Sequence, residues 1–154
     1  MKLWSFLSVG VLLICFSITS SAQSEKGYEK RDLQKLKWIE GNWEGLYQGK
    51  PFYEIYRFQN DTTLAITSYE WNGKDSMKSS TTWLRWQDGS YFLGDSLNWK
   101  IILITADQIQ MIPHRKAANE IIWRRVDEDA WDAILTTKRG EVLYNMKRAK
   151  HFSR

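Results

Sequence analysis

The sequence predicts an all-β domain: a single antiparallel barrel of about eight to ten strands that follows a short N-terminal helix. Apolar and polar residues alternate with a period of two over most of residues 43–148, which is the spacing of half-buried strands. Turn signals separate these stretches at intervals of about ten residues. No helical pattern of crossover length lies between them, so the strands are expected to be antiparallel.

A signal peptide is predicted at residues 1–22, ahead of the barrel. Lys2 supplies a positive charge, residues 6–16 are apolar, and small residues follow up to Ala22. This order is typical of a secretory signal, with cleavage expected between Ala22 and Gln23. The apolar stretch is shorter than the roughly 20 residues of a spanning helix. The mature protein is therefore expected in the periplasm or outside the cell, without a membrane span.

The cysteine content limits the chemistry of the exported chain. Cys15 is the single cysteine and would leave with the signal peptide, so neither a disulfide nor a thiolate site is expected afterwards. A lipid anchor on Cys15 is disfavoured, because Ile14 is larger than the residue that normally precedes a lipidated cysteine. Charges of both signs are interleaved without a basic block, which argues against a nucleic-acid partner.

Three segments are expected after the signal peptide: a polar tether at 23–30, the barrel domain at 31–150 and a tail at 151–154. Residues 31–39 carry an apolar stripe with helical spacing and lead into the break at Gly41. The predicted strands are 43–48, 52–59, 63–71, 79–87, 91–93, 98–104, 108–112, 120–126, 132–137 and 142–148.

Two dipeptides between these strands predict tight hairpins. Asn72-Gly73 and Asp88-Gly89 both fit the type I′ turn, whose two central residues need positive φ. Hairpins of this type join neighbouring antiparallel strands, as an up-and-down barrel requires.

Strand alternation assigns an inner face to four of the predicted strands. These faces are Phe52, Glu54, Tyr56 and Phe58; Leu64, Ile66, Ser68 and Glu70; Leu97, Trp99, Ile101 and Leu103; and Val142, Tyr144, Met146 and Arg148. Glu54, Glu70 and Arg148 are their charged members, and a buried charge needs a partner or water. A ligand cavity would supply water, whereas Arg85 or Arg148 could instead pair with the carboxylates.

The start of the domain resembles the entrance of lipocalin-like (calycin) barrels, in which a short helix is followed by Gly-x-Trp on the first strand. Gly41 and Trp43 occupy those positions here. The resemblance implies that Trp43 closes the base of the barrel and that Arg148, on the last strand, packs on its ring in a cation–π contact. Trp38 is expected to pack the helix against Trp43.

The chain also resembles a group of small exported bacterial domains of unknown function that open with Trp-Leu/Ile-x-Gly-x-Trp. The corresponding residues are 38–43, and weaker matches are Glu54-Ile55-Tyr56 on the second strand and Met146-Lys147-Arg148 at the end. The similarity covers roughly residues 33–150. A Phe-Pro segment common in that group is replaced by residues 114–118, so a function tied to that segment is not expected here.

The aromatic residues have two interpretations. Nine tryptophans and seven tyrosines in 154 residues could line a cavity for a partly apolar ligand, or could fill the core of a barrel without disulfides. Trp83 and Trp86 are three residues apart and should point to opposite faces, so only one can face the interior. The predicted cavity residues are Glu54, Tyr56, Glu70, Trp83 and Trp99.

Groups able to catalyse a reaction are scarce. The sequence shows no metal-ligand spacing, no nucleophile elbow and no phosphate-binding glycine loop. Paired carboxylates at Glu54 and Glu70 could act as acid and base in a hydrolase or isomerase. A register error of one residue would instead place both on the outside.

We therefore expect an exported protein that binds a small, partly apolar molecule or serves as an envelope accessory protein, without a cofactor or a catalysed reaction. Haem binding is a further alternative, because related barrels that bind haem open with Gly-x-Trp-x-Gly, as residues 41–45 do. Such a site would need an axial histidine, and His151 is the candidate. The sequence makes no prediction of oligomeric state.

Overall fold

The computed structural model describes residues 27–71 and 76–150. The predicted signal peptide with its cleavage site at Ala22, the predicted Asn72-Gly73 turn and the tail with His151 lie outside the described residues.

The described residues form a closed antiparallel barrel of ten strands, which confirms the predicted fold class. The strands are β1 (Gly41–Tyr47), β2 (Lys50–Asn60), β3 (Thr63–Trp71), β4 (Ser76–Gln87), β5 (Ser90–Leu93), β6 (Trp99–Ile104), β7 (Gln108–Pro113), β8 (Glu120–Arg125), β9 (Ala130–Thr137) and β10 (Gly140–Arg148). Each strand pairs with its neighbours in sequence, and β1 pairs with β10 to close the barrel. This order leaves no free sheet edge.

Tight turns of the predicted kind join neighbouring strands. Asp88 and Gly89 have φ angles of 48° and 80°, so both residues have the positive φ that a type I′ turn needs. Gln48 and Gly49, with φ angles of 52° and 76°, turn the chain from β1 to β2 in the same way.

A 3₁₀ helix at Lys30–Ile39 precedes β1, with a kink at Leu36. Leu33, Leu36 and Ile39 are fully buried against the barrel. Residues three apart lie on one side of a 3₁₀ helix, since it has three residues per turn. The spacing of these apolar residues agrees with this winding, and the helix covers one end of the barrel.

Residues 27–30 differ from the loose tether expected at 23–30, because backbone and side-chain groups of the barrel hold them in place. The backbone N–H of Tyr28 donates to the Gly89 carbonyl at 2.9 Å, and the Trp86 indole donates to the Tyr28 carbonyl at 3.1 Å. The Tyr91 hydroxyl donates to the Lys30 carbonyl at 2.5 Å. These contacts attach the segment before the helix to the hairpin between β4 and β5.

The predicted inner position of Leu103 is wrong. A bulge between Ile101 and Leu103 adds one residue to β6. Ile101 and Ile104 are therefore the buried residues, while Ile102 is 46% exposed. A bulge reverses the alternation of faces beyond it, and no glycine or other turn residue marks its position in the sequence.

None of the helical structure within the described ranges has the length and apolar character that crossing a membrane requires.

Candidate functional site

The end of the barrel beneath the helix is closed by Trp43 and Arg148. The Arg148 guanidinium lies 4.1 Å from the centre of the Trp43 ring and donates to the carbonyls of Glu40 and Glu128 at 2.9 and 3.0 Å. The Trp43 indole N–H donates to the Ile39 carbonyl at 2.6 Å. The same two side chains thus plug the barrel and hold the helix to it.

Gly41 is required where the chain passes from the helix into β1. Its φ of 146° is rarely adopted by residues with a side chain, and a Cβ here would overlap Nη1 of Arg148. The glycine therefore makes room for the guanidinium that covers Trp43.

A cluster of aromatic rings lies above this plug. Trp131 makes edge-to-face contacts with Trp38, Trp43, Tyr56 and Trp123, with ring centroids 5.7–6.3 Å apart. Trp38 therefore reaches Trp43 through Trp131. Such contacts add to the stability gained from burying the rings, and the cluster forms the floor of the space above it.

The other half of the barrel holds a cavity of about 700 Å³, which is open at the end away from the helix. This volume lies within the ~300–1,000 Å³ typical of small-molecule sites. The described lining includes Tyr47, Lys50, Phe52, Glu54, Tyr56, Ile66, Ser68, Tyr69, Glu70, Ser79, Ser80, Thr82, Leu93, Trp99, Ile121, Trp123, Trp131, Ala133, Leu135, Tyr144 and Met146.

One wall of the cavity carries a polar strip across β2, β3 and β4. Glu54 pairs in register with Ser68, and Ser68 pairs with Ser80. The Tyr56 hydroxyl donates to Oε2 of Glu54 at 2.6 Å, and the Ser68 hydroxyl donates to Oε1 at 3.2 Å. Two neutral donors therefore hold the Glu54 carboxylate at the cavity wall.

Glu54 is half-buried by surface area because it faces the cavity, but its carboxylate lies deep among protein atoms. Burial raises its pKa above the ordinary value of 4.5, and the hydrogen bonds from Tyr56 and Ser68 oppose that rise. Burial also raises the pKa of Tyr56 well above the ordinary value, helped by the neighbouring Glu54 charge. Tyr56 therefore remains a hydrogen-bond donor at ordinary pH.

The opposite wall is apolar. It is formed by side chains of β6, β8, β9 and β10, namely Trp99, Ile121, Trp123, Ala133, Leu135, Tyr144 and Met146. The Trp99 indole N–H donates to the Asn119 carbonyl at 2.9 Å, which orients its ring. The cavity thus offers a hydrogen-bonding wall and an aromatic wall to one occupant.

Glu70 lies on the same face of β3 as Ser68, but close to the opening. It is exposed, and Ser79 donates to its Oε1 at 3.1 Å. Glu54 and Glu70 therefore line one cavity in different surroundings. Among the described residues, neither carboxylate forms an ion pair with arginine: Arg85 contacts Asp95 and Arg148 contacts Asp129.

The expectation that Trp83 lines the cavity does not hold. Ser80 and Thr82 of β4 face the cavity, so alternation places Trp83 on the outer face. Trp86 is on the inner face but belongs to the closed end, where it contacts Tyr28. Glu54, Tyr56, Glu70 and Trp99 do line the cavity, and their contact with a ligand stays a prediction.

Sequence reasoning missed several wall residues. Ser80 and Thr82 follow from alternation once Leu84, which is fully buried, sets the face of β4. Trp131 was missed because the predicted strand began at residue 132, whereas β9 begins at Ala130. The hydrogen bond between Tyr56 and Glu54 could have been predicted from the sequence, because residues two apart in a strand lie on the same face.

The described part of the chain contains no group of three or more potential metal ligands. His114 does not line the cavity, and its ring packs on Phe92 with centroids 5.0 Å apart. The one basic side chain among the described lining residues is Lys50, near the opening.

Comparison with known proteins gave no match among family models, curated proteins or solved structures.

Proposed function

We propose that this protein is exported and binds a small, partly apolar molecule inside the barrel without catalysing a reaction. The observation that carries the proposal is the cavity of about 700 Å³, with a polar strip on one wall and aromatic side chains on the other. Cavities of this size and lining enclose small molecules in many proteins. Export is supported by the sequence of residues 1–22.

The neutral fluorophore N-phenyl-1-naphthylamine tests the binding, because its emission rises in apolar surroundings. Ser80→Trp would place a large side chain in the cavity, and Thr81→Trp would add the same side chain one residue further, on the outer face. We expect saturable binding by the wild-type protein and the Thr81→Trp variant, and binding weakened about tenfold or more by Ser80→Trp, equivalent to ~1.4 kcal/mol.

Thermal unfolding of both variants shows whether they are folded, and Ser80→Leu replaces Ser80→Trp if the larger side chain prevents folding. No binding by the wild-type protein, or equal binding by both folded variants, would refute the proposal.

An acid–base enzyme is the second candidate. It is favoured by one observation: Glu54 and Glu70 line the same cavity, and in the described structure neither is paired with an arginine. The exposure of Glu70 weighs against it, because the two carboxylates do not share one buried pocket. A panel of ester and glycoside substrates tests this candidate. Turnover that is lost in both Glu54→Gln and Glu70→Gln would replace the binding proposal with the enzyme.

A further inference from the structure

Among the described residues of the cavity wall, Glu54 carries the one deeply placed charged group, and the protein partners of its carboxylate are neutral. Tyr56 and Ser68 each direct a hydroxyl proton at one carboxylate oxygen. Lys50 is the basic residue among the described lining residues, and it is exposed near the opening. The charge on Glu54 is therefore hydrogen-bonded but has no neighbouring positive charge in the described wall.

This arrangement determines which chemical groups of a ligand can bind next to Glu54. When Glu54 is ionised, the Tyr56 and Ser68 protons are already used, so the three side chains present acceptor atoms to the cavity. A ligand group that meets them must donate hydrogen bonds, and a positively charged donor would also neutralise the buried charge. A ligand carboxylate would meet like charge at the same place.

The apolar side chains of the cavity suit an apolar body on the ligand. The Tyr56 and Trp123 rings are almost fully buried and pack edge to face with their centroids 5.7 Å apart, so they form the floor beneath the ligand. The wall formed by Trp99, Leu135 and Met146 would contact an apolar body attached to the cationic group.

We propose that the cavity binds organic amines with an apolar body, and that the ammonium group lies against the Glu54 carboxylate. This inference rests on the proposed function and adds the chemical class of the ligand. Glu54 and Tyr56 are the polar contacts, and the aromatic wall supplies the apolar ones.

The test is displacement of N-phenyl-1-naphthylamine at pH 7.5 by three compounds that share an indole ring: tryptamine, tryptophol and indole-3-propionate. They differ in carrying an ammonium, a hydroxyl or a carboxylate. We expect tryptamine to displace the fluorophore at a concentration at least tenfold lower than either of the others.

Two isosteric variants locate the origin of this preference. The Glu54→Gln variant should still bind the fluorophore. Its affinities for tryptamine and tryptophol should differ by less than about threefold. Glu44→Gln, which removes a carboxylate from the outer face of β1, should keep the wild-type preference. Equal displacement by all three compounds, or an amine preference that survives in Glu54→Gln, would overturn the amine proposal while cavity binding stands. Failure of the wild-type protein to bind the fluorophore would overturn the proposed function as well.

The pH dependence supplies a second readout. Tryptamine affinity should fall as pH is lowered through the raised pKa of Glu54, while tryptophol affinity changes little. Within the described part of the chain, the other charged and titratable side chains that line the cavity are Lys50, Glu70, Tyr47, Tyr56, Tyr69 and Tyr144. An equal pH response of both compounds would count against Glu54 as the group that binds the amine.

Discussion

The two ends of the barrel use the same residue types for different purposes. At the closed end, Trp43 and Arg148 contact each other, and the carbonyls of the helix and the β8–β9 loop accept their hydrogen bonds. At the open end, the Glu54 carboxylate faces a cavity, and neutral hydroxyls are its protein partners. A tryptophan or a charged residue at the closed end therefore packs against the fold, whereas at the open end it faces the cavity that we propose as the ligand site.

The largest expected effect is loss of the plug. Trp43→Ala should lower the free energy of unfolding by roughly 3–5 kcal/mol, as for other large buried aromatic residues. Trp83→Ala is the matched control, because Trp83 is half-buried on the outer face and its removal should cost clearly less. Urea unfolding of the two variants checks this. Equal losses would show that Trp43 is not the residue that closes the barrel.

The second largest effect is expected from substituting the glycines at the two ends of the barrel, which should lower stability by different amounts. Gly41→Ala places a residue with a side chain at an unfavourable φ and displaces Arg148. It should lower the free energy of unfolding by roughly 3 kcal/mol, which is at the upper end of the cost of one strained residue. Gly49→Ala at the open end also needs positive φ, but no atom lies within 4 Å of the added Cβ, so the loss should be about 1 kcal/mol. Both losses can be measured by urea unfolding. If Gly49→Ala proves the more damaging substitution, the fit of Arg148 against Gly41 does not matter.

The smallest expected effect is the pH dependence caused by Glu54 in the ligand-free protein. Because its pKa is raised in the folded state, folding favours the protonated form. Below pH 4.5, the ordinary value, wild-type protein and Glu54→Gln should have similar stability. As pH rises from there through the folded-state pKa, the wild-type protein should lose stability relative to Glu54→Gln. Unfolding free energies of both proteins at several pH values check this, and a relative gain by the wild-type protein would mean that the ionised carboxylate is stabilised by the fold.

Local patterns in the sequence predicted the fold because nearly every strand alternates and its turns carry marker residues. The structure has a strand at each of the ten predicted positions, and Asp88-Gly89 adopts the predicted positive φ values. Alternation failed where the chain departs from regular pairing, as at the β6 bulge that moves Leu103 off the inner face.

The site was less predictable, because side chains from distant strands form it. The inner positions of Glu54 and Glu70 followed from alternation, but their different exposure depends on how far each lies from the opening. The placement of Trp131 at the centre of the aromatic cluster depends on where β9 begins, and a shift of one or two residues in a strand boundary was enough to hide it.

Native mass spectrometry of the protein purified from its own cells tests most directly whether the open end of the barrel binds a ligand, as we propose. We expect a mature chain that begins at Gln23 and carries a small molecule, and loss of that molecule in folded Ser80→Trp but not in Thr81→Trp. A spectrum that contains only ligand-free chain, identical for the wild-type protein and both variants, would contradict the assignment of the open end to ligand binding.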